Sequence, residues 1–326
     1  MKLGKIVAAL LACLFALGLF ACKKTDDPVI DIGGSASPNQ TDASATQQGS
    51  VADSATPNSG LSTSVPTSEG TSDINPTPTE APDNECIVSL GSETAPARNT
   101  MPTETYGLSD TECESWFSDA VFIGDSITIG WENYNNRMLE KIPNFFGNTR
   151  FFCECSYGVG HALEPISDSS LHPIYGGEQC YIWDAVKKMG AKKVFILFGL
   201  NDISIRGVQG TADNYAEVIS KIRRESPETE IYVISAMYMF KGSEHEKLNN
   251  KNIYALNKLL AEMCRENGYE FVNIASNLID EGGFLPKEYC SDNYVHQTYS
   301  AYAVWADVLR SLAARHITGQ GKLVFE

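Results

Sequence analysis

Five short apolar runs, each followed by an amphipathic stretch, constrain the fold of this 326-residue chain more than any other feature. Two of the runs, KVFILFG and IYVISAM, are apolar almost throughout. Strands with this pattern are covered on both faces, as in a parallel sheet. The five predicted strands are Ala120–Gly124, Arg150–Cys155, Lys193–Gly199, Ile231–Ala236 and Glu270–Ile274.

Helical stretches lie between and after these runs. The predicted helices cover residues 128–141, 178–189, 211–225, 249–266 and 298–314. Strict alternation of strand and helix indicates βαβ units with right-handed crossovers. The sequence therefore predicts an α/β fold, a three-layer α/β/α domain with a five-stranded parallel sheet.

Composition divides the chain into two parts. No Phe, Trp or Tyr occurs between Phe20 and Tyr106, and this stretch is dense in Ser, Thr, Pro, Asp and Gly. Such a segment cannot bury enough apolar surface to offset the entropy lost on ordering. We therefore predict a disordered linker over residues 22–108 and one globular domain over residues 109–326.

The N-terminus has the features of an export signal. A Lys-bearing start precedes an apolar core that is short for a bilayer span, and the core ends in Leu19-Phe20-Ala21-Cys22. This ending resembles the lipobox of bacterial lipoproteins. The resemblance implies a signal peptide over residues 1–21, a lipid on Cys22, and a domain anchored to the bacterial cell membrane on its extracytoplasmic side. An ordinary secretory signal or an N-terminal transmembrane helix is the alternative.

Charge and cysteine pattern exclude some partners. The formal net charge of −16 argues against a nucleic-acid partner. The cysteines form no pair of CxxC units, so core packing explains them better than a zinc site does. We therefore predict no metal and no cofactor.

Polar residues follow the predicted strands where the strands end: GDS, SYGVGH, GLND and a loop ending in SDNYVH. Sites in open parallel sheets form beyond these carboxyl ends. Ser126 is either a helix cap or a nucleophile, and His296 is a candidate base. The side chain of Asn201, the N–H of Ser126 and the turn 158–161 can donate hydrogen bonds to an oxyanion.

The segments FIGDSIT, YGVGH, FGLND and VHQTYSAYAVWADVLR resemble the four sequence blocks of the SGNH hydrolases, also called GDSL-type esterases. The resemblance covers about Asp110 to His316. It implies a flavodoxin-like sheet order, with Ser126 as nucleophile and first oxyanion donor, Asn201 as side-chain oxyanion donor and His296 as general base. It also implies that Asp125 organises the turn before the nucleophile.

Two positions depart from the family pattern. The second block usually reads Gly-x-x-Gly, so the backbone oxyanion donor is Gly160 or His161. The family places an Asp three residues before the His, where this chain has Asn293. Asp292 lies one step earlier and is favoured because it keeps the charge, with Asn293 as the alternative.

The sequence thus predicts an extracytoplasmic serine esterase that hydrolyses carboxylic esters through an acyl-enzyme. O-acetyl groups on carbohydrates, in small molecules or polysaccharides, are the expected substrates. One alternative is an O-acetyltransferase that acts on envelope glycans. The other is a non-catalytic glycan-binding lipoprotein, which the Asn at position 293 keeps open.

Overall fold

The structure is a computed structural model that describes residues 86–326. The predicted signal peptide, Cys22 and the predicted linker as far as residue 85 lie outside the described residues. In the described part, no helix is both long enough and apolar enough to cross a bilayer.

Residues 86–326 contain eleven strands and six α-helices. The strands are β1 (Cys86–Val88), β2 (Gly91–Ser92), β3 (Ala95–Pro96), β4 (Ala120–Gly124), β5 (Arg150–Cys153), β6 (Ile174–Tyr175), β7 (Glu178–Gln179), β8 (Lys193–Leu197), β9 (Glu230–Ile234), β10 (Glu270–Val272) and β11 (Leu323–Phe325). The helices are α1 (Asp110–Ser115), α2 (Ser126–Leu139), α3 (Ile182–Met189), α4 (Ile203–Glu225), α5 (Asn250–Asn267) and α6 (Tyr299–Thr318).

The central sheet has five parallel strands in the spatial order β10-β9-β8-β4-β5. Helices α3, α4 and α5 contact one another in series, and α6 contacts both α1 and α2. The predicted three-layer α/β/α fold with a five-stranded parallel sheet is therefore confirmed. Strand order reverses beside β4, so the loops that follow β4, β5 and β8 meet at the carboxyl edge of the sheet.

A row of aromatic side chains fixes the register across four strands. Phe122 pairs with Phe151 on one side and Phe195 on the other, and Phe195 pairs with Tyr232. The ring centroids of Phe122 and Phe195 lie 4.6 Å apart, as do those of Phe195 and Tyr232. Such cross-strand pairs stabilise the sheet beyond the apolar area that they bury.

Four of the predicted strands end two residues earlier than the apolar pattern suggests. After β8, β9 and β10 the chain is still buried, as at Phe198, Ala236 and Ile274, although these residues lie outside the strands. Gly199, with φ of 130°, turns the chain after β8. The apolar run is therefore longer than the strand, because residues can stay buried after the backbone has left the sheet.

Two helices begin four or more residues away from their predicted starts. Residues 178–179 form β7 instead of the start of a helix, and α3 begins at Ile182. Helix α4 begins at Ile203 and not at residue 211, with a break at Gly207, whose φ is 71° and ψ is 175°. This break gives the chain one helical turn before the long part of α4.

Residues 86–108 are folded, which corrects the predicted end of the linker at residue 108. Strand β1 pairs in parallel with β11, and Leu90 and Met101 are buried. The N–H of Cys86 donates to the carbonyl of Lys322, whose Nζ donates to the carbonyl of Gly268 just before β10. The segment enters the domain beside the amino end of β10, where β1 pairs with the C-terminal strand.

Candidate active site

Ser126 lies at a tight strand-to-helix turn. Asp125, in an extended conformation, is the N-cap of α2, and its Oδ1 accepts the N–H of Ile127 at 2.9 Å. Ser126 is the first helical residue and Asp125 is the cap, so of the two alternatives for Ser126 the helix cap is excluded. A Cβ on Gly124 would lie 2.6 Å from the carbonyl oxygen of Leu197, so glycine allows this close approach to β8.

Three side chains form a continuous hydrogen-bonded chain at this turn. The Nε2 of His296 lies 3.0 Å from the Oγ of Ser126. The Nδ1 of the same ring lies 2.6 Å from the Oδ2 of Asp292. With Nδ1 protonated and donating to the carboxylate, Nε2 can accept the hydroxyl proton of Ser126.

Asp292 also organises the loop that carries the histidine. Its Oδ1 accepts the N–H groups of Tyr294, Val295 and His296 at 2.8, 3.1 and 3.3 Å. Asn293 has a left-handed φ of 58°, and its Oδ1 accepts a hydrogen bond from the Nζ of Lys287 at 2.5 Å. Of the two residues predicted to orient the histidine, the structure brings Asp292 to it and turns Asn293 away.

Asp292 and His296 shift each other's pKa. The hydrogen bond to Asp292 raises the pKa of His296 above 6.5; burial opposes this, and the charges of Asp292 and Asp125 add to it. Partial burial acts to raise the pKa of Asp292, but the hydrogen bond and charge of His296 outweigh it, so that pKa is lowered from 3.8. Asp292 is therefore a carboxylate at neutral pH, and the histidine is a stronger base than a free imidazole.

Asn201, at the carboxyl end of β8, lies beside the serine turn. Its Nδ2 donates to the Oδ2 of Asp125 at 3.0 Å and to the carbonyl of Tyr157 at 3.2 Å. Burial raises the pKa of Asp125 to about 7, against the effect of the Ile127 N–H and with a contribution from the nearby Asp202. The amide thus connects the loops that follow β4, β5 and β8.

The glycine-rich turn after β5 directs most of its N–H groups at protein acceptors. Val159 and Gly160 donate to the two carboxylate oxygens of Asp202 at 3.1 and 2.9 Å, and Gly158 donates to Nδ1 of His161 at 3.1 Å. The N–H of His161 has no acceptor among residues 86–326. Of the two predicted backbone oxyanion donors, Gly160 thus has its N–H engaged by Asp202, and His161, the alternative, is the one that this geometry leaves available.

Asp202 is the residue of the site that the sequence analysis did not assign. It is only 2% exposed; burial raises its pKa, while the N–H groups of Gly160 and Val159 and the charges of His161 and Arg206 oppose that rise. Two signals were present in the sequence. An acid directly follows Asn201 at a strand end, and two glycines flank Val159 in the turn that it contacts. Among residues 86–326, no group of three or more His, Cys, Asp or Glu side chains could hold a metal ion.

A Ser-His-Asp chain at the carboxyl edge of a parallel α/β sheet defines a serine hydrolase site. The family model of the GDSL-like lipases and acylhydrolases matches residues 122–304. Because this match covers more than half of the chain, the chain belongs to the GDSL-like lipase/acylhydrolase family and is a carboxylic ester hydrolase. The predicted family is confirmed.

Several solved structures are similar to this one. A protein from Streptococcus pneumonia provisionally described as a platelet activating factor is 25% identical over 63% of this chain and 90% of its own, with a TM-score of 0.45. A GDSL-like lipase from Bacteroides thetaiotaomicron is 16% identical over 66% and 95%, with a TM-score of 0.45. An acetyl xylan esterase is 14% identical over 59% and 98%, with a TM-score of 0.43. No curated protein compared with this chain matches it.

Proposed function

We propose that this protein hydrolyses carboxylic esters through an acyl-enzyme on Ser126. His296 is the general base and general acid, and Asp292 orients it. The hydrogen-bonded chain from Ser126 through His296 to Asp292, with distances of 3.0 and 2.6 Å, carries the proposal. It supplies a nucleophile, a base and an orienting carboxylate in one connected arrangement.

The reaction follows from this geometry. The Oγ of Ser126 attacks the ester carbonyl carbon and transfers its proton to Nε2 of His296, while Asp292 stabilises the imidazolium. The tetrahedral intermediate collapses when His296 gives that proton to the leaving alcohol oxygen. A water molecule then attacks the acyl carbon, and His296 takes its proton. The second intermediate releases the carboxylic acid and restores the Ser126 hydroxyl.

The oxyanion is proposed to accept hydrogen bonds from the N–H groups of Ser126 and His161 and from the Nδ2 of Asn201. Both backbone donors lack an acceptor within the described chain. The Nδ2 of Asn201 already has two acceptors, Asp125 and the carbonyl of Tyr157. Substrate binding is therefore expected to replace one of these two hydrogen bonds.

We extend the proposal to small acyl groups, O-acetyl above all, on hydroxyl-rich carbohydrates. A groove of about 430 Å³ lies at the base of the hairpin that carries Asp292 and His296, and its walls include Glu288 and Tyr289 of that hairpin. Its other lining residues are Arg98, Asn99, Asn277, Ile279, Asp280, Glu281 and Pro286. Amide, carboxylate, guanidinium and phenol groups suit a sugar better than a lipid chain.

Location belongs to the same proposal. The Lys-bearing apolar start and the Leu-Phe-Ala-Cys ending support export and a lipid on Cys22. The enzyme would then meet acetylated glycans outside the cytoplasm. Asn293 was the reason for a non-catalytic alternative, and the contact of Asp292 with the histidine removes that reason.

The test uses the chain without its signal peptide and compares it with Ser126→Ala. Initial rates on 4-nitrophenyl acetate and octanoate give the acyl preference, and acetate release from an acetylated polysaccharide gives the substrate class. We expect Ser126→Ala to lose on the order of 10³-fold or more of kcat on the acetate ester. Equal rates for the two proteins would refute the proposed nucleophile. Transfer of acetate to an added acceptor sugar in preference to water would identify an acetyltransferase instead.

A further inference from the structure

We propose that Asp202 is a positioning residue that sets the oxyanion donor in the turn after β5. It acts through the backbone of Val159 and Gly160 and makes no contact with the reacting atoms. The inference depends on the proposed function, because it assigns the N–H of His161 to the oxyanion. The inference adds Asp202 as a residue that affects the transition state indirectly, through the backbone of the turn after β5.

The carboxylate holds two consecutive peptide groups directly before His161. One oxygen accepts the N–H of Val159 and the other accepts the N–H of Gly160, at 3.1 and 2.9 Å. Hydrogen bonds to a charged acceptor are shorter and about twice as strong as neutral ones. Two such bonds fix the peptide groups on both sides of Val159, and the next peptide group, which carries the N–H of His161, follows from them through the helical φ and ψ of Gly160, −71° and −38°.

The glycines of the turn make this approach possible. A Cβ on Gly158 would lie 2.6 Å from Oδ1 of Asp202, and a Cβ on Gly160 would lie 1.8 Å from Nε of Arg206. A larger residue at either position would have to displace the side chain of Asp202 or of Arg206. The two glycines therefore serve the contact with the start of α4, whose N-cap is Asp202.

The same helical turn holds the far end of the segment. The N–H of Arg206 donates to the carbonyl of Asp202, and the Nη2 of Arg206 lies 2.8 Å from Oε1 of Glu164. Glu164 directly follows the short 3₁₀-helix His161–Leu163. Gly207 then breaks α4. The first turn of α4, which contains Arg206, is therefore held by its contacts with the loop after β5 as well as by the rest of the helix. The donor residue is thus fixed from both sides by one element.

Asparagine cannot replace this carboxylate. Its Oδ1 can accept one N–H, but its Nδ2 carries two hydrogens of its own and would oppose the second N–H. Asp202→Asn keeps the size of the side chain and releases one of the two peptide groups. The expected defect is a misdirected donor in an enzyme that still folds and still binds substrate.

The experiment measures steady-state kinetics of Asp202→Asn on 4-nitrophenyl acetate, with thermal denaturation of each variant. We expect kcat to fall on the order of 10- to 100-fold with KM changed less than about threefold, because a misplaced oxyanion donor affects mainly the transition state. Inhibition by an aryl boronic acid, which becomes tetrahedral on the serine, should weaken by a similar factor. Asp213→Asn, at an exposed position of the same helix, is the matched control and should retain wild-type kinetics.

Each outcome decides the question. Wild-type kcat in Asp202→Asn, or a rise in KM with kcat unchanged, overturns the positioning role. If that variant does not fold, Gly158→Ala tests the same contact, because its Cβ would lie 2.6 Å from Oδ1 of Asp202 and displace the carboxylate from the turn, so kcat should fall. Wild-type kcat in Gly158→Ala also overturns the inference. Failure of the proposed function is distinct, since the wild-type protein would then match Ser126→Ala.

Discussion

Replacement of Asp292 by Asn should leave the histidine loop in place and impair the base. The Oδ1 of Asp292 accepts three backbone N–H groups, and the amide oxygen of Asn can keep them. The Oδ2, which lies 2.6 Å from Nδ1 of His296, becomes an NH₂ group. This group favours the tautomer with a proton on Nε2, which cannot accept the proton of the serine hydroxyl.

The size of the effect follows from the charge that is lost. With about 4 Å between charge centres, the attraction between imidazolium and carboxylate is about 1 kcal/mol in bulk water and about 4 kcal/mol at an effective dielectric constant of 20. The two side chains are 29% and 34% exposed, so an intermediate value of about 2 kcal/mol applies. That value alone corresponds to about 30-fold in kcat, and the wrong tautomer extends the expected loss toward about 10⁴-fold.

The pH profile gives a second readout of the same change. In the wild-type enzyme, kcat/KM should fall as the pH decreases through the pKa of His296, which lies above 6.5. The hydrogen bond and charge of Asp292 are causes of that raised pKa. In Asp292→Asn, the residual activity should therefore show its acidic limb at a lower pH than the wild-type enzyme.

The matched control is Asn293→Gly. Glycine tolerates the left-handed φ of 58° at this position, and the change removes only the side chain and its contact with Lys287. We expect kcat on 4-nitrophenyl acetate within about threefold of wild type. A loss in Asn293→Gly as large as that in Asp292→Asn, or a wild-type rate in Asp292→Asn, would refute the assignment of Asp292.

Three changes away from the reacting groups should lower the melting temperature, measured by circular dichroism. Gly130→Ala places a Cβ 2.0 Å from the buried hydroxyl of Tyr302, so we expect a loss of about 2 kcal/mol, with an unchanged melting curve contradicting the packing. Glu114→Gln removes the charge that faces Arg310 at 2.5 Å, and we expect a loss of about 2 kcal/mol, or about 4–8 °C; an unchanged melting temperature would contradict a stabilising role of this ion pair. A chain that lacks residues 86–104 should lose about 3 kcal/mol because it loses two buried side chains and a strand pair; equal stability would show that the segment only covers the domain.

Much of the fold could be predicted because its strands are covered on both faces. The first residues of four central strands match the apolar runs, and the fifth, β9, begins one residue early, at Glu230. The strand ends could not be predicted, since Phe198 is as buried outside the ladder as Phe195 is within it. The pairing of β1 with β11 could not be predicted from the sequence either. It joins residues such as Cys86 and Leu323 from opposite ends of the described chain, and neither three-residue strand carries a pattern of its own.

The site was predictable where a residue type decides its role and not where backbone direction does. Ser126 and His296 follow strand ends and have the chemistry of a nucleophile and a base. The choice between Asp292 and Asn293 depends on the positive φ of Asn293, which no neighbouring residue indicates. The choice between Gly160 and His161 depends on which of the two N–H groups donates to the carboxylate of Asp202. Asp202 belongs to a different loop, so the sequence of the turn does not indicate this contact.

The parallel pairing of β1 with β11 fixes where the upstream chain joins the domain relative to the active site. The upstream chain joins at Cys86, beside the amino end of β10, whereas Ser126 lies where β4 ends, at the opposite edge of the sheet. Five residues of strand separate the two edges by about 16 Å. The edge that carries Ser126 is therefore clear of the point at which the upstream chain joins the domain, and a bulky substrate can approach it without meeting that chain at its point of entry.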